Sequence, residues 1–292
     1  MTFGTSDSNG AGEGTEFLEV LPPPGQELAN YDNTLPCSKQ GADIPQIFRD
    51  AMSVREEVYG EQGVPLEAEF DEDDARSWHW VVYASVASTA SSPPKDLRKD
   101  SSTGIVAPDE TRRSSADAGS RLPVGTIRLI PGPHGPNKYL EKYKADRHTD
   151  ADPPSSFQEE APKTHPLEPY VKLGRLAVLA PYRKLGLGKL LINAALKHAA
   201  KQPEEIYRPP SPTTMEMANL SGKPVQEAGT WNGLVMIHAQ ANLQPLWERY
   251  GFSEELRGED GEVEIQKEER WIEEGIEHVG MWKRLKVESG RL

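Results

Sequence analysis

One stretch of the sequence decides the fold, namely VKLGRLAVLAPYRKLGLGKLLINAALKHAA at residues 171–200. Its first part, residues 171–179, predicts a strand, and residues 180–185 predict a turn. Apolar residues then recur at helical spacing, which predicts a helix from about residue 186 to residue 200. The stretch therefore predicts the β-loop-α unit of an α/β protein.

The turn of this unit carries two glycines within a basic loop: Arg183, Lys184, Leu185, Gly186, Leu187, Gly188 and Lys189. Glycines let an anion approach the backbone, and the free amides of a helix N-terminus favour negative charge. The loop therefore predicts a site for a diphosphate-containing cofactor, although two glycines could also serve only to shape a tight turn. It lacks the Gly-Lys-Ser/Thr ending of a P-loop and the three glycines of a dinucleotide fingerprint, which disfavours nucleotide hydrolysis and hydride transfer.

The rest of the chain adds further helices and strands. Residues 44–59 have apolar side chains at helical spacing and predict a first helix, and a short helix is predicted before Gly251. Five further strands are predicted at residues 78–83, 123–130, 233–240, 263–265 and 276–285. We expect the first two of these to pair as a hairpin, and the last two as another. The predicted fold class is α/β with a mixed sheet.

Several stretches lack the periodicity of core elements. Residues at about 85–120, 131–169 and 202–230 are predicted to be low-complexity insertions. Residues 1–33 lack the basic start and apolar run of a secretory signal, and are predicted to be a disordered tail. Residues 34–292 are then predicted to form a single domain.

Composition excludes several classes of function. The net charge of −13 argues against a nucleic-acid partner, because phosphate binding needs a basic surface. No window approaches the roughly 18 apolar residues of a membrane span, so no membrane is expected and the predicted location is cytoplasmic. The single cysteine, Cys37, cannot form an intrachain disulfide. The seven histidines lack the spacing of zinc ligands, and no metal is predicted.

The loop and several later segments resemble the GNAT superfamily of N-acetyltransferases. The acetyl-CoA motif of that superfamily is Arg/Gln-x-x-Gly-x-Gly/Ala after the fourth strand, and a later helix commonly ends in Gly-Phe, as at Gly251-Phe252. The similarity narrows to the ElaA-like branch through four further segments: VREEVYGEQGVP at residues 54–65, EFD at 69–71, AQANLQ at 239–244 and EGIEHVGM at 274–281.

This resemblance implies a twisted sheet that splays between its fourth and fifth strands, with helices on both faces and the pantetheine arm of acetyl-CoA in the gap. It implies that the backbone of Val178 bonds the pantetheine and that the amide of Leu176 faces the acetyl carbonyl. The full set of implied cofactor contacts is Leu176, Ala177, Val178, Arg183, Lys184, Leu185, Gly186, Leu187, Gly188, Lys189 and Asn242.

The resemblance leaves the general acid in question. The usual tyrosine, four residues before the glycine of Gly-Phe, is Trp247 in this chain, and an indole cannot act as an acid at neutral pH. Tyr250 is close in sequence but lies on another face of the helix, where packing against the sheet is the favoured interpretation.

Acetyl transfer to nitrogen also needs an acceptor for the proton of the amine. Three residues are predicted as catalytic candidates: Glu61 follows the first helix, Asp71 closes an acidic turn, and His278 begins the last strand. His238 in the fifth strand is a further candidate, for which a structural role is the alternative.

The predicted function is therefore acetyl-CoA-dependent N-acetylation of a small primary amine, for example an amino sugar such as glucosamine, by direct attack in a ternary complex. Such an amine has a pKa near 8 by analogy with an α-amine, so it needs less help to become neutral than an alkyl amine of about 10.4. Two alternatives stay open: acetylation of protein lysines or N-termini, and a non-catalytic acyl-CoA-binding or interaction protein.

Overall fold

The computed structural model describes residues 17–85, 121–135, 137, 139, 168–207, 213 and 231–287. The strands in these residues are β1 (Leu18–Leu21), β2 (Trp78–Ser85), β3 (Arg121–Ile130), β4 (Val171–Val178), β5 (Leu234–Gln240), β6 (Leu256–Arg257), β7 (Val263–Ile265), β8 (Trp271–Glu273) and β9 (Ile276–Arg284). The helices described over their full length are α1 (Gln46–Gly60), α2 (Leu187–Lys201), α3 (Pro203–Ile206) and α4 (Gln244–Glu248). None of the described helices is both long enough and apolar enough to cross a membrane.

Seven of the strands form one mixed sheet in the order β1-β2-β3-β4-β5-β9-β8. Strands β4 and β5 are parallel, and every other neighbouring pair in this sheet is antiparallel. The predicted α/β class with a mixed sheet is confirmed, and so is the hairpin of β2 and β3.

Helices cover both faces of this sheet because side chains alternate along each strand. On β2, the rings of Trp78 and Trp80 contact His198 of α2. The intervening His79 contacts Phe48 of α1, and Val81 is buried beside it. We call these two sides the α2 face and the α1 face.

The predicted tail extends too far into the fold. Residues 18–21 form β1, which pairs with β2 at the edge of the sheet, and both Leu18 and Leu28 are buried. The boundary at residue 33 is therefore wrong for residues 17–33, and residues 1–16 lie outside the described residues. A four-residue strand is too short for its alternation to stand out in the sequence.

Two other predictions need correction. The insertion placed at about 202–230 begins later, because α3 is helical and Ile206 and Tyr207 are buried. The predicted final hairpin is wrong, because β7 pairs with β6 in a separate two-stranded sheet while β9 pairs with β8 and β5. The insertion at about 85–120 lies outside the described residues except for Ser85, and the one at about 131–169 is described only at residues 131–135, 137, 139, 168 and 169.

Candidate functional site

The two parallel strands separate part-way along their length. They pair at only three positions, the last being Leu173 opposite Ile237. Beyond that point β4 continues along β3 and β5 continues along β9. We call the gap between residues 174–178 and residues 238–240 the opening, and it confirms the predicted splay between the fourth and fifth strands.

Backbone groups of β4 line one side of the opening. The Leu179 amide donates to the Val124 carbonyl at 3.0 Å, and Ala177 pairs with Thr126, so these residues bond to β3. Alternate residues of a strand direct their backbone groups to opposite edges, so Leu176 and Val178 direct theirs into the opening. The prediction that these two residues present their backbones to a cofactor has the geometry it requires.

Ala177 does not share this geometry. Its backbone lies on the β3 side, and only 1% of the residue is exposed. The structure therefore places Ala177 inside the sheet and does not support it as a cofactor contact.

The basic loop follows at the end of β4. Gly186 has a φ of 86°, a backbone conformation that favours glycine. Gly188 differs, because it lies in the first turn of α2 and a Cβ added there would meet nothing within 4 Å. Turn geometry therefore explains Gly186 but not Gly188. The missing side chain at Gly188 leaves clear space above the backbone.

The open end of α2 supplies amides next to that space. The Leu190 amide donates to the Gly186 carbonyl at 3.0 Å, which closes the first helical turn. The preceding amides, those of Leu187, Gly188 and Lys189, have no acceptor within the helix. With the exposed side chains of Arg183, Lys184 and Lys189, they can bind a diphosphate.

The end of α1 spans the opening and touches both of its sides. The Tyr59 hydroxyl donates to the Leu176 carbonyl at 3.2 Å on the β4 side. Gln62 accepts a hydrogen bond from the side chain of Gln240 at 2.6 Å on the β5 side.

The loop itself is tied to the same region. Arg183 Nε donates to the Val178 carbonyl at 2.9 Å. Arg183 Nη2 lies 3.7 Å from the carboxylate of Glu61. Glu61 therefore lies beside the basic loop. Asn242 is exposed in the turn that follows β5, at the same end of the sheet.

Asp71 is engaged in a network of ion pairs. Arg128 donates to its two carboxylate oxygens at 2.6 and 2.9 Å, and Arg175 donates to one of them at 3.0 Å. Burial alone would raise the pKa of Asp71, but the charges of Arg128 and Arg175 outweigh it and hold the pKa well below its usual range. A carboxylate held ionised in this way is a weak base, which argues against Asp71 as the proton acceptor.

The network positions the open half of β4. Arg175 has a φ of 52°, and the β3–β4 register shifts opposite it, so β4 bulges at this residue. Asp74, which is fully buried, accepts hydrogen bonds from Arg55 and Arg128 at 2.8 and 2.7 Å. Sequence reasoning missed Arg175, although an arginine in the middle of the apolar strand sequence VKLGRLAV was a signal.

Histidines and a tryptophan gather on the α1 face at the far side of the opening. His278 lies opposite both Gln240 and Trp271, and cross-strand partners share a face. The Trp271 ring stacks with His278 at 6.0 Å and meets His238 edge-on at 4.7 Å. Trp271 was not among the predicted site residues, because β8 is only three residues long.

His278 has a defined hydrogen-bond partner. Its Nδ1 lies 2.9 Å from the Ile276 carbonyl. A carbonyl can only accept, so Nδ1 carries the proton and the lone pair of the neutral ring is on Nε2. That nitrogen is available to take a proton. Nearby, Trp271 Nε1 donates to Glu273 at 3.4 Å, and Tyr139 bonds the same carboxylate. Burial, together with the negative charge of Glu273, raises the pKa of Tyr139 to about 12.

The sequence supplies the assignment of family. Residues 66–208 match the sequence model of the acetyltransferase (GNAT) family. These residues, just under half of the chain, form a GNAT-family acetyltransferase region. The chain is an acyltransferase. Strand β4 and the basic loop lie within the matched residues, whereas β5, the other side of the opening, lies beyond them.

Solved structures with similar folds have low sequence identity to this GNAT chain. ElaA from Escherichia coli is 15% identical, with 86% of this chain and 96% of ElaA covered and a TM-score of 0.38. An acyl-CoA N-acyltransferase from Pseudomonas aeruginosa is 16% identical, with 85% and 95% covered and the same TM-score of 0.38. FeeM, an N-acyl amino acid synthase from uncultured soil microbes, is 10% identical, with 82% and 91% covered and a TM-score of 0.35.

These TM-scores carry no argument about function, so the family assignment rests on the sequence match. No curated protein matches the chain in sequence.

Trp247 takes the place of the tyrosine common in the GNAT family, and it is a packing residue. It is only 5% exposed, and its ring meets Phe252 edge-on at 5.4 Å. Tyr250 packs against the same core, and its carbonyl accepts a hydrogen bond from Lys283. Within the described residues, no group of three or more His, Cys, Asp and Glu side chains is placed to hold a metal ion.

Proposed function

We propose that this GNAT chain transfers the acetyl group of acetyl-CoA to a small primary amine, by direct attack of the amine in a ternary complex. One observation carries the proposal: an unpaired edge of β4 leads directly into a basic loop at a helix N-terminus. An amino sugar such as glucosamine is the acceptor that we would test first, because its amine needs little help to lose a proton.

The donor half of the site fits a CoA thioester. Leu176 and Val178 offer backbone groups to an extended, amide-containing arm such as pantetheine. The amides of Leu187, Gly188 and Lys189 suit the diphosphate, and the clear space above Gly188 admits it. Asn242, on the far side of the opening, is proposed as a further contact.

The acceptor half of the site lies on the α1 face. His278 Nε2 is the proposed proton acceptor, with His238 as the second candidate and Glu61 as the third. The carboxylate of Glu273, beside Trp271, gives this side of the opening a negative charge that would attract an ammonium group. Holding donor and acceptor together can supply an effective molarity on the order of 10⁵ M, so a modest base suffices.

The donor site is tested by calorimetry with CoA on Arg183→Ala and Gly188→Glu. Arg257→Ala and Gly135→Glu are matched controls: Arg257 is an exposed arginine on β6, and a side chain at Gly135 also meets nothing within 4 Å. We expect CoA affinity to fall by tenfold or more in the first pair, with unchanged melting temperatures, and to stay the same in the controls. Unchanged CoA affinity in both loop variants would refute the proposed donor site.

The acceptor is tested by release of CoA thiol from acetyl-CoA across amino sugars, amino acids, polyamines and peptides. We expect turnover with a small primary amine and little with peptides. Turnover with lysine-containing or N-terminal peptides alone would support protein acetylation instead. CoA binding without turnover of any amine would support the non-catalytic alternative. Propionyl-CoA and butyryl-CoA in parallel show whether the donor is specifically acetyl.

A further inference from the structure

Tyr59 reaches from α1 to the unpaired edge of β4. Its hydroxyl donates to the Leu176 carbonyl at 3.2 Å, while its ring packs against the main core. The ring holds the hydroxyl in place, and the hydrogen bond aims it at the backbone that faces the opening. A phenylalanine would pack equally well, so the hydroxyl acts on the open edge, where it satisfies the Leu176 carbonyl in the absence of a ligand.

The position of this hydroxyl relative to the Leu176 amide is informative. In an extended residue the N–H and the C=O point to the same edge of the strand. A thioester carbonyl that accepts a hydrogen bond from the Leu176 amide would therefore lie beside the Tyr59 hydroxyl. The Tyr59 hydroxyl has a single proton, so it acts as a second donor there once that proton turns from the Leu176 carbonyl to the thioester oxygen.

We propose that Tyr59 and the Leu176 amide together form the oxyanion site, the pair of donors that stabilises the oxygen of the thioester carbonyl. This inference rests on the proposed function. As the amine nitrogen bonds to the carbonyl carbon, the C=O π pair moves to the oxygen, and the Tyr59 hydroxyl and the Leu176 amide both donate hydrogen bonds to that oxygen. That pair then re-forms the carbonyl as the C–S bond breaks and the thiolate leaves with the bonding pair. The amine proton passes to the proton acceptor, and Tyr59 keeps its own.

The protonation of Tyr59 suits a donor that does not release its proton. Burial raises the pKa of Tyr59 to about 12. An alkyl thiol has a pKa of about 8.5, so transfer of the Tyr59 proton to the departing thiolate would run uphill by roughly three pKa units. Tyr59 therefore differs in role from a general-acid tyrosine: it donates a hydrogen bond, and the thiolate takes its proton from solvent.

The test compares Tyr59→Phe with Tyr83→Phe. Tyr83 also bonds α1 through its hydroxyl, to Asp50 at 2.9 Å, but it lies on β2, away from the opening. Two measurements are made on each variant and on the wild type. The first is the infrared carbonyl band of bound [1-¹³C]acetyl-CoA, which needs no acceptor. The second is kcat with the best amine, together with the dissociation constant of CoA and the melting temperature.

We expect Tyr59→Phe to move the carbonyl band to higher frequency and to lower kcat by about 10² to 10³, the usual effect of removing one oxyanion donor. CoA affinity should change less than about twofold, and Tyr83→Phe should match the wild type in both readouts. An unchanged carbonyl band in Tyr59→Phe would overturn the inference even in an active enzyme. A shifted band in a protein that acetylates no amine would uphold the oxyanion site and refute the proposed acceptor.

Discussion

The two halves of β4 differ in what satisfies their backbone. Residues 171–173 bond to β3 on one edge and to β5 on the other. Residues 174–178 bond to β3 alone, and the carbonyls on their free edge are met by the side chains of Tyr59 and Arg183. One strand thus serves as an ordinary central strand and, a few residues later, as a surface prepared for a ligand.

An unpaired edge in the middle of a sheet needs support from elsewhere. Here the support comes from the α1 face, where Asp71 and Asp74 hold Arg128 and Arg175. The bulge at Arg175 turns its side chain into this network. The closed half of β4 needs no such device, because Val171 and Leu173 are fully buried between paired strands. The network should therefore matter most to the open half.

The largest effect is expected from Asp74→Asn. This change leaves Arg55 and Arg128 buried without their shared anion, which should lower the free energy of unfolding by about 3–5 kcal/mol. Chemical denaturation measures it. Asp73→Asn is the control, because Asp73 pairs with Arg76 near the surface and should cost less than about 1 kcal/mol. Equal losses in the two variants would mean that the buried network does not support β4.

The next effect concerns chemistry on the β9 side of the opening. His278→Gln should lower kcat by about 10², the size of a general-base contribution. Acetyl-CoA affinity should be unchanged, because the proposed donor contacts lie on β4, on α2 and in the turn after β5. Glu61→Gln should leave kcat within about threefold. The reverse pattern would move the base from the histidine to the loop side of the opening.

A smaller loss of stability is expected at acid pH. Arg128 and Arg175 overcome the effect of burial and hold the pKa of Asp71 below its unfolded value of about 3.9, and Arg128 and Arg55 do the same for Asp74. A depressed pKa contributes stability that is complete above about pH 4 and is lost as the pH falls towards the folded value. The free energy of unfolding should therefore fall below pH 4. It should fall less steeply in Asp71→Asn, and parallel curves would show that Asp71 is not held in this way.

The contrast within β4 also marks what the sequence could predict. The loop and α2 are local patterns, and the predicted helix at residues 186–200 agrees with the observed Leu187–Lys201 to within one residue. The site around the open half depends on distant contacts. Tyr59 and Leu176 are 117 residues apart, and Arg175 and Asp71 are 104 apart, so no local period reveals them. The sequence shows Asp71 only as the end of an acidic turn, because its partners Arg128 and Arg175 lie 57 and 104 residues away.

The smallest effect is expected from Trp247→Phe. Trp247 is buried against Phe252, and the smaller ring should cost about 1 kcal/mol of stability, well below the loss that removal of the whole side chain would cause. Because an indole gives up no proton, kcat should change less than about threefold. Trp247→Tyr sharpens the comparison, since it restores the hydroxyl that the GNAT family commonly carries at this position. If Tyr59 supplies the necessary donor from α1, the Tyr and Phe variants should have the same kcat. A Tyr variant several-fold faster than the Phe variant would show that this position can still deliver a proton into the opening, and that the hydrogen bond from Tyr59 does not replace it.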